Sequence, residues 1–421
     1  MKRRAFLQLC GATAGAYAIS GGARASSPPV HARRVLAIFV TGGWDTTFAL
    51  DPKEPGHATV PAGAVRSFES LDIFADVSRP NITSYFERYA GASAIVRGIG
   101  TDAINHNECQ RRIATGTREE TRPDFAATIA HDLGTDLPLP YLVLGDTAWT
   151  GPYAACAGRV GSTNQIVDLL APQGPRIKNA HGSTEAGLSD EEQVVLRAYA
   201  EASATRERAT RGAAGYNRRR IDDFVESLQR SERIRAAREK FGVRGDALTY
   251  DAQLTLALDA LQLDLSHAVT VSTRLPWDTH SFNRLQADYQ EATFAGLTHV
   301  MDELSTRPGR AAGSKMIDDT TVVLFSEMSR TPFVIDPADP DTGKNHWPLT
   351  SALVTGAGVK PGIYGATSPD SGPITIDFAT GAIDPAGTTL LYSHFVAGLL
   401  ALCGVDPRAH LEAPAFDAFM A

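Results

Sequence analysis

The sequence predicts an α/β fold, with a central, mostly parallel sheet flanked by helices. Three observations predict it. Short unbroken apolar runs recur along the chain, starting with VLAIFV at 35–40. Runs of this length without polar alternation suit strands buried on both faces. Helix-compatible stretches lie between several of them, as in layered α/β sheets. The composition, 43% hydrophobic and 21% charged over 421 residues, provides for a large core.

The elements follow in order. Residues 1–25 carry a basic head, a modestly apolar middle and a small-residue site at Ala23-Arg24-Ala25. This is the layout of an export leader. The Arg3-Arg4 pair before Phe6-Leu7 points to the twin-arginine type, although Lys2 stands where Ser or Thr is usual. An ordinary secretory signal is the alternative. Strands are predicted at 35–40, 93–100 (SAIVRGIG), 140–145 (PYLVLG), 268–273 (AVTVST), 320–327 (TTVVLFSE) and 351–358 (SALVTGAG). Helices are predicted at 190–212, 217–242 and 250–265. The first two are rich in charge, and the region 185–245 reads as a helical insertion on the surface. The glycine-rich stretch GAGVKPGIYGAT lacks a strand-to-helix phosphate motif and reads as a tight loop into a hairpin.

Bulk properties exclude several classes. The net charge is −8, and the leader takes Lys2, Arg3, Arg4 and Arg24 with it, so the mature chain is more acidic still. No basic footprint for nucleic acid exists. No stretch after the leader approaches the length of apolar sequence that spans a membrane. Cys109, Cys156 and Cys403 remain in the mature chain. They permit at most one disulfide and lack metal-knuckle spacing, so a hydrophobic core must hold the fold.

The chemistry concentrates beside predicted strand ends. In PWDTH, Pro276 biases the chain toward an extended form. Residues two apart then point the same way, so Asp278 and His280 converge beyond the strand at 268–273. That edge of an α/β sheet is where ligands bind. A carboxylate and an imidazole aimed together make half of a divalent-metal site. Asp45 follows the first strand across a glycine turn, and Glu327 ends the strand at 320–327 with Arg330 three residues on. His346 lies in the polar loop TGKNHWP, and His106 precedes a helix. Each has a bland alternative: a turn cap for Asp45, a pair with Arg330 for Glu327, satisfied loop histidines for His106 and His346. Shared metal coordination is the simplest common cause.

In order and spacing, TGGWD, NH…ATG, PWDTH, SEMSRTP, NHWP and GAGVKPGIYGAT resemble the DUF1501 family. These are exported bacterial proteins distantly similar to the alkaline phosphatase and sulfatase superfamily. The resemblance runs from about residue 34 to about 408. It implies an alkaline-phosphatase-like fold, expected here as a single domain over 26–421. It implies that Asp45, Asp278, His280, Glu327 and His346 surround one or two divalent ions (Zn, Mn, Ca or Mg). His106 matches a position near the nucleophile at a helix N-terminus, and is expected as a further ligand or acid/base. Relatives often carry an acid where this chain has Asn345, and Ser where it has Asn105. Asparagine cannot be the nucleophile. Thr46, Thr47, Thr101 and Cys109 are the remaining candidates, and metal-activated water is the other route. Arg330 is expected either to clamp an anionic group or to pair with Glu327.

The resulting expectation is a periplasmic or secreted metal-dependent hydrolase of phosphate or sulfate esters. Its partners would be a small anionic ester and the twin-arginine export machinery. The alternative is a non-catalytic, metal-stabilised protein that binds a cell-envelope component. Both require the named acids and histidines to meet.

Overall fold

The computed structural model describes residues 33–421 except 55, 62, 76, 146, 161–176, 179–183, 186–188, 213–214 and 237–248. The predicted leader lies outside the described residues, as does the end of the second predicted insertion helix. Residues 33–421 form one compact unit.

Strand β1 (Arg34–Val40) lies inside an eight-stranded sheet. The other strands are β2 (Ser93–Gly100), β3 (Tyr141–Val143), β4 (Ala157–Arg159), β5 (Ala268–Ser272), β6 (Thr320–Ser326), β7 (Leu349–Gly356) and β8 (Gly362–Tyr364). Their order across the sheet is β8-β2-β7-β6-β1-β5-β3-β4. Strands β6, β1, β5, β3 and β4 are parallel, and β8 runs parallel to β2. Strand β7 alone is antiparallel to both its neighbours.

The apolar runs have the predicted cause. Every residue of β1 is buried. Leu36, Ile38 and Val40 enter one core, while Val35, Ala37 and Phe39 enter the core on the opposite face. The helices are α1 (Pro80–Tyr89), α2 (His106–Thr115), α3 (Phe125–Leu133), α4 (Asp190–Thr210), α5 (Gly215–Ala236), α6 (Tyr250–Gln262), α7 (Leu285–Thr306) and α8 (Tyr392–Leu402). Helices α1, α6 and α7 bury Phe86, Leu258 and Phe294 in the first core. Helices α2, α3 and α8 bury Ile113, Ile129 and Phe395 in the second. The result is a mixed α/β fold with helices on both faces of a mostly parallel sheet.

Local signals set the helix ends. Asp124 caps α3 by accepting from Ala127 N at 2.7 Å, and Ser189 with Glu192 forms a capping box at α4. One reading is refined and one element was missed. In the stretch after β7, residues 362–364 first cross to the sheet edge and pair with β2, and the chain then turns back where Thr367 bridges Pro373 antiparallel. Glycine permits the close approach to β2: at Gly365, with φ of +76°, a Cβ would stand 2.3 Å from the Arg97 carbonyl oxygen. The long helix α7 was not predicted at all. Cys109, Cys156 and Cys403 are buried free thiols. Among the described residues no helix is long and apolar enough to cross a membrane.

The sheet positions the site. Strands β1, β2, β5 and β6 point the same way, so the segments that follow them emerge at one edge. Strand β7 runs the opposite way, so the segment that precedes it emerges at that same edge.

One buried group makes stability depend on pH. Burial pushes the His267 imidazole down to about 4, and its Nε2 has no hydrogen-bond partner. The unfolded chain binds this proton near pH 6.5 and the folded chain does not, so acid favours unfolding. Stability contributed by neutral His267 is therefore full above about pH 6.5 and is lost as pH falls toward 4, by about 3 kcal/mol. In urea melts at pH 7.5 and 5, His267→Gln is expected to show a smaller acid-induced drop in midpoint than the wild type.

Candidate metal centre

The site begins at the glycine turn after β1. Gly42 and Gly43 have φ of +120° and +77°, conformations that favour glycine. A Cβ on Gly42 would stand 2.9 Å from Asp278 N. The missing side chain lets the segments after β1 and β5 touch.

Glu327 follows β6 and is fully buried. Its Oε1 accepts from Gly42 N at 2.7 Å, His106 Nδ1 at 2.9 Å and Gln110 Nε2 at 3.4 Å. Its Oε2 accepts from Ser326 Oγ at 3.1 Å. A carboxylate facing Nδ1 places the His106 ring proton there. The Nε2 lone pair is then free and lies 3.3 Å from Asp278 Oδ2. His346 repeats the device with a different acceptor. Its Nδ1 donates to the Ile104 carbonyl at 2.7 Å, which leaves Nε2 3.2 Å from Asp278 Oδ1. His280 Nε2 lies 3.0 Å from His346 Nε2 and 3.2 Å from Asp278 Oδ1.

Ligand atoms of His106, Asp278 and His346 all lie within 4.8 Å of one another, and His280 borders the same point. His106 Nε2 is buried without a hydrogen-bond partner. An orphaned imidazole nitrogen beside a carboxylate and two more imidazoles fits a divalent cation, with Glu327 and Ile104 as the outer groups that orient the rings.

The electrostatics agree. The Glu327 hydrogen bond, opposed by burial, pushes the His106 imidazole above its ordinary value. Burial works against the Asp278 anion. The hydrogen bond and positive charge of Arg330 outweigh it and hold the carboxyl at about 2. Burial pushes the His280 imidazole down, and the negative charge of Asp278 is the chief influence against it.

The structure gives several of the predicted site residues other partners. Asp45 is fully buried, and three donors and one ammonium surround its carboxylate. Oδ1 accepts from Thr47 N at 3.2 Å and Thr47 Oγ1 at 2.7 Å. Oδ2 accepts from Asn283 Nδ2 at 3.0 Å and pairs with Lys344 Nζ at 2.7 Å. The cation it faces is a lysine. Glu327 meets His106 as an orienting acceptor, and its better-placed oxygen is already shared among three donors. Arg330 does not pair with Glu327. It is buried, donating from Nε to Gly43 O at 2.8 Å, from Nη1 to Lys344 O at 3.3 Å, and from Nη2 to Trp277 O at 3.0 Å, Asp278 Oδ1 at 2.8 Å and Gly42 O. The nucleophile candidates are committed elsewhere: Thr46 bonds Ser329, Thr47 bonds Asp45, and Thr101 bonds the carbonyls of Ala103 and Pro348. Cys109 is buried, with its thiol pushed up to about 11. Asn105, the residue before His106, caps α2 by accepting from Glu108 N.

Functional residues missed in the sequence are mostly amides and main chain. Gln286 accepts from Asp45 N at 2.8 Å and donates to Gly43 O, Trp277 O and Thr279 Oγ1. Gln290 Nε2 donates to Asp45 O at 2.7 Å. The spacing of Gln286 and Gln290 on one face of α7, with Asn283 in the turn before it, was the available signal.

The model of the family described as "Protein of unknown function (DUF1501)" matches residues 32–414. No curated protein matches the sequence. Among solved structures, the chain is similar to a protein in the alkaline phosphatase superfamily from Vibrio parahaemolyticus, at 12% identity and a TM-score of 0.35, covering 96% of this chain and 76% of that one. It is also similar to the C-terminal periplasmic domain of EcEptC from Escherichia coli in complex with Zn, at 10% identity, TM-score 0.39, and 92% and 88% coverage. A third is the lipoteichoic acid synthase LtaP from Listeria monocytogenes, at 8% identity, TM-score 0.37, and 89% and 73% coverage. Likenesses this distant say nothing of the chemistry of this chain.

Two substitutions separate these roles. Glu327→Gln is expected to keep the fold while weakening metal affinity roughly 10- to 100-fold, read by chelator competition. Arg330→Ala strands four main-chain carbonyls and the Asp278 anion, so a loss of about 3–5 kcal/mol is expected in chemical denaturation. An arginine that only held substrate would leave stability nearly unchanged.

Proposed function

The chain belongs to the DUF1501 family, and from that footing we propose that it is an exported metal-dependent hydrolase of phosphate or sulfate esters. One observation carries this reading. Two histidines have their Nδ1 protons held by Glu327 and by the Ile104 carbonyl, and their Nε2 lone pairs converge on Asp278. His106, Asp278, His280 and His346 would hold the ion. A set of three imidazoles and one carboxylate favours Zn²⁺ or Mn²⁺ over Ca²⁺ and Mg²⁺. Such an ion supplies Lewis acidity, neutralising an ester's anionic group and lowering the pKa of water.

The chain's own residues set the stage. Arg330 keeps Asp278 ionised and in place without touching substrate. Glu327 keeps the His106 proton on Nδ1. Thr46, Thr47, Thr101 and Cys109 are each bonded within the protein, which supports water as the nucleophile. Ile104, which orients His346, also lines a mostly apolar groove with Trp347, Pro348 and Leu391, with room for the organic part of an ester. Residues 1–25 support export by the twin-arginine route, which carries proteins already folded. That suits ligands that come from separate segments and meet only after folding.

The commitment of Thr46, Thr47, Thr101 and Cys109 to internal bonds favours one second reading, a metal-stabilised envelope protein that binds an anionic component without turning it over. Elemental analysis of the mature protein, with 4-nitrophenyl phosphate and sulfate as substrates, separates the two. A hydrolase is expected to release 4-nitrophenol in a metal-dependent way, and Asp278→Ala or a chelator should lower the rate at least about 100-fold. Bound metal with no metal-dependent turnover would favour the binding protein.

A further inference from the structure

The Asp45–Lys344 pair bears on how many ions the centre holds. Asp45 and Lys344 are both fully buried, and Nζ lies 2.7 Å from Asp45 Oδ2. Nζ also lies 5.3 Å from the centre of the Phe48 ring. We propose that Lys344 is a resident cation facing Asp45, in place of a second metal ion, so that the centre at His106, Asp278, His280 and His346 is mononuclear. This rests on the metal-binding reading above and narrows it.

Three observations carry the inference. First, Thr47 N, Thr47 Oγ1 and Asn283 Nδ2 donate to the Asp45 carboxylate, and the Lys344 ammonium pairs with it. A metal ion at this carboxylate would have to displace the lysine and compete with these donors. Second, Lys344 cannot easily leave. Its N donates to Thr279 O at 3.1 Å, and its carbonyl accepts from Arg330 Nη1 at 3.3 Å. Beside it, a Cβ on Gly343 would stand 2.1 Å from the carbonyl carbon of His280, so this loop is packed directly on the segment that carries Asp278 and His280. Third, the group of His106, Asp278 and His346 is the only cluster of three or more such side chains that fits an ion among the described residues. An ammonium buried to this depth requires its carboxylate partner, since breaking a buried pair leaves an uncompensated charge. The pair therefore also anchors the loop leading to His346.

The test is metal stoichiometry, which needs no activity. Mature protein is saturated with Zn²⁺ or Mn²⁺, desalted and analysed for metal and protein. One ion per chain is expected in the wild type. The double variant Asp45→Asn/Lys344→Met replaces the pair with neutral groups of similar size. It is expected to hold one ion per chain, with affinity within about threefold of wild type by chelator competition. Two ions in the wild type would overturn the inference and leave the metal-binding reading standing. Loss of the ion from a double variant that still melts cooperatively would make Asp45 a ligand and overturn it too. No ion in the wild type would overturn the metal-binding reading itself, and the inference with it. Should the double variant fail to fold, the wild-type stoichiometry decides.

Discussion

The site depends on one buried guanidinium. Arg330 sits just past the end of β6, with its side chain out of solvent. A guanidinium cannot shed its charge, so each of its N–H groups must find an acceptor there. Its acceptors come from three chain segments: the glycine turn after β1, the Trp277-Asp278 segment after β5 and Lys344 before β7. Satisfying one side chain therefore draws three loops together. The same contact fixes the ionisation of Asp278, because the positive charge and hydrogen bond outweigh the burial that opposes its anion. Position and charge at the cluster share this cause.

Two imidazoles then need the correct face. A histidine beside a cation must present a lone pair, so its proton must be held on the other nitrogen. Glu327 does this for His106, and the Ile104 carbonyl does it for His346. The two acceptors differ in charge. The Glu327 bond raises the His106 pKa, whereas Ile104 contributes only a main-chain dipole. Beside this arrangement lies a different solution to burying charge, the closed pair of Asp45 and Lys344. One carboxylate is surrounded by donors and complete; the other, Asp278, faces imidazole lone pairs and is not. That contrast supports a proposed centre with a single ion.

The fold makes the convergence possible through one reversed strand. Parallel strands deliver the segments after β1, β2, β5 and β6 to one sheet edge, as α/β architecture dictates. The segment carrying His346 precedes its strand, so β7 must run the other way to bring it to that edge. The amide face of α7 then holds the glycine turn and the Trp277–Thr279 segment through Gln286. The first turns of α7 were the hard part to read, because they bury Gln286, Gln290 and Thr293 where an amphipathic helix shows apolar residues; its apolar spacing begins at Phe294.

The sequence by itself determined the sheet strands longer than four residues, because burial on both faces leaves an unbroken apolar run that composition alone reveals. It missed β4 and β8, short strands whose sequences, AGR and GIY, carry no apolar run. It also marked His106, Asp278, His280, Glu327 and His346 as a set, since polar groups beside strand ends have few bland explanations when they recur. Only the tertiary structure decided what each one touches. Asp45 and Asp278 look alike along the chain, each an acid soon after a strand. Lys344 meets one and Arg330 the other, and a charge's partner in a folded protein is chosen by packing between distant segments, which no local pattern records.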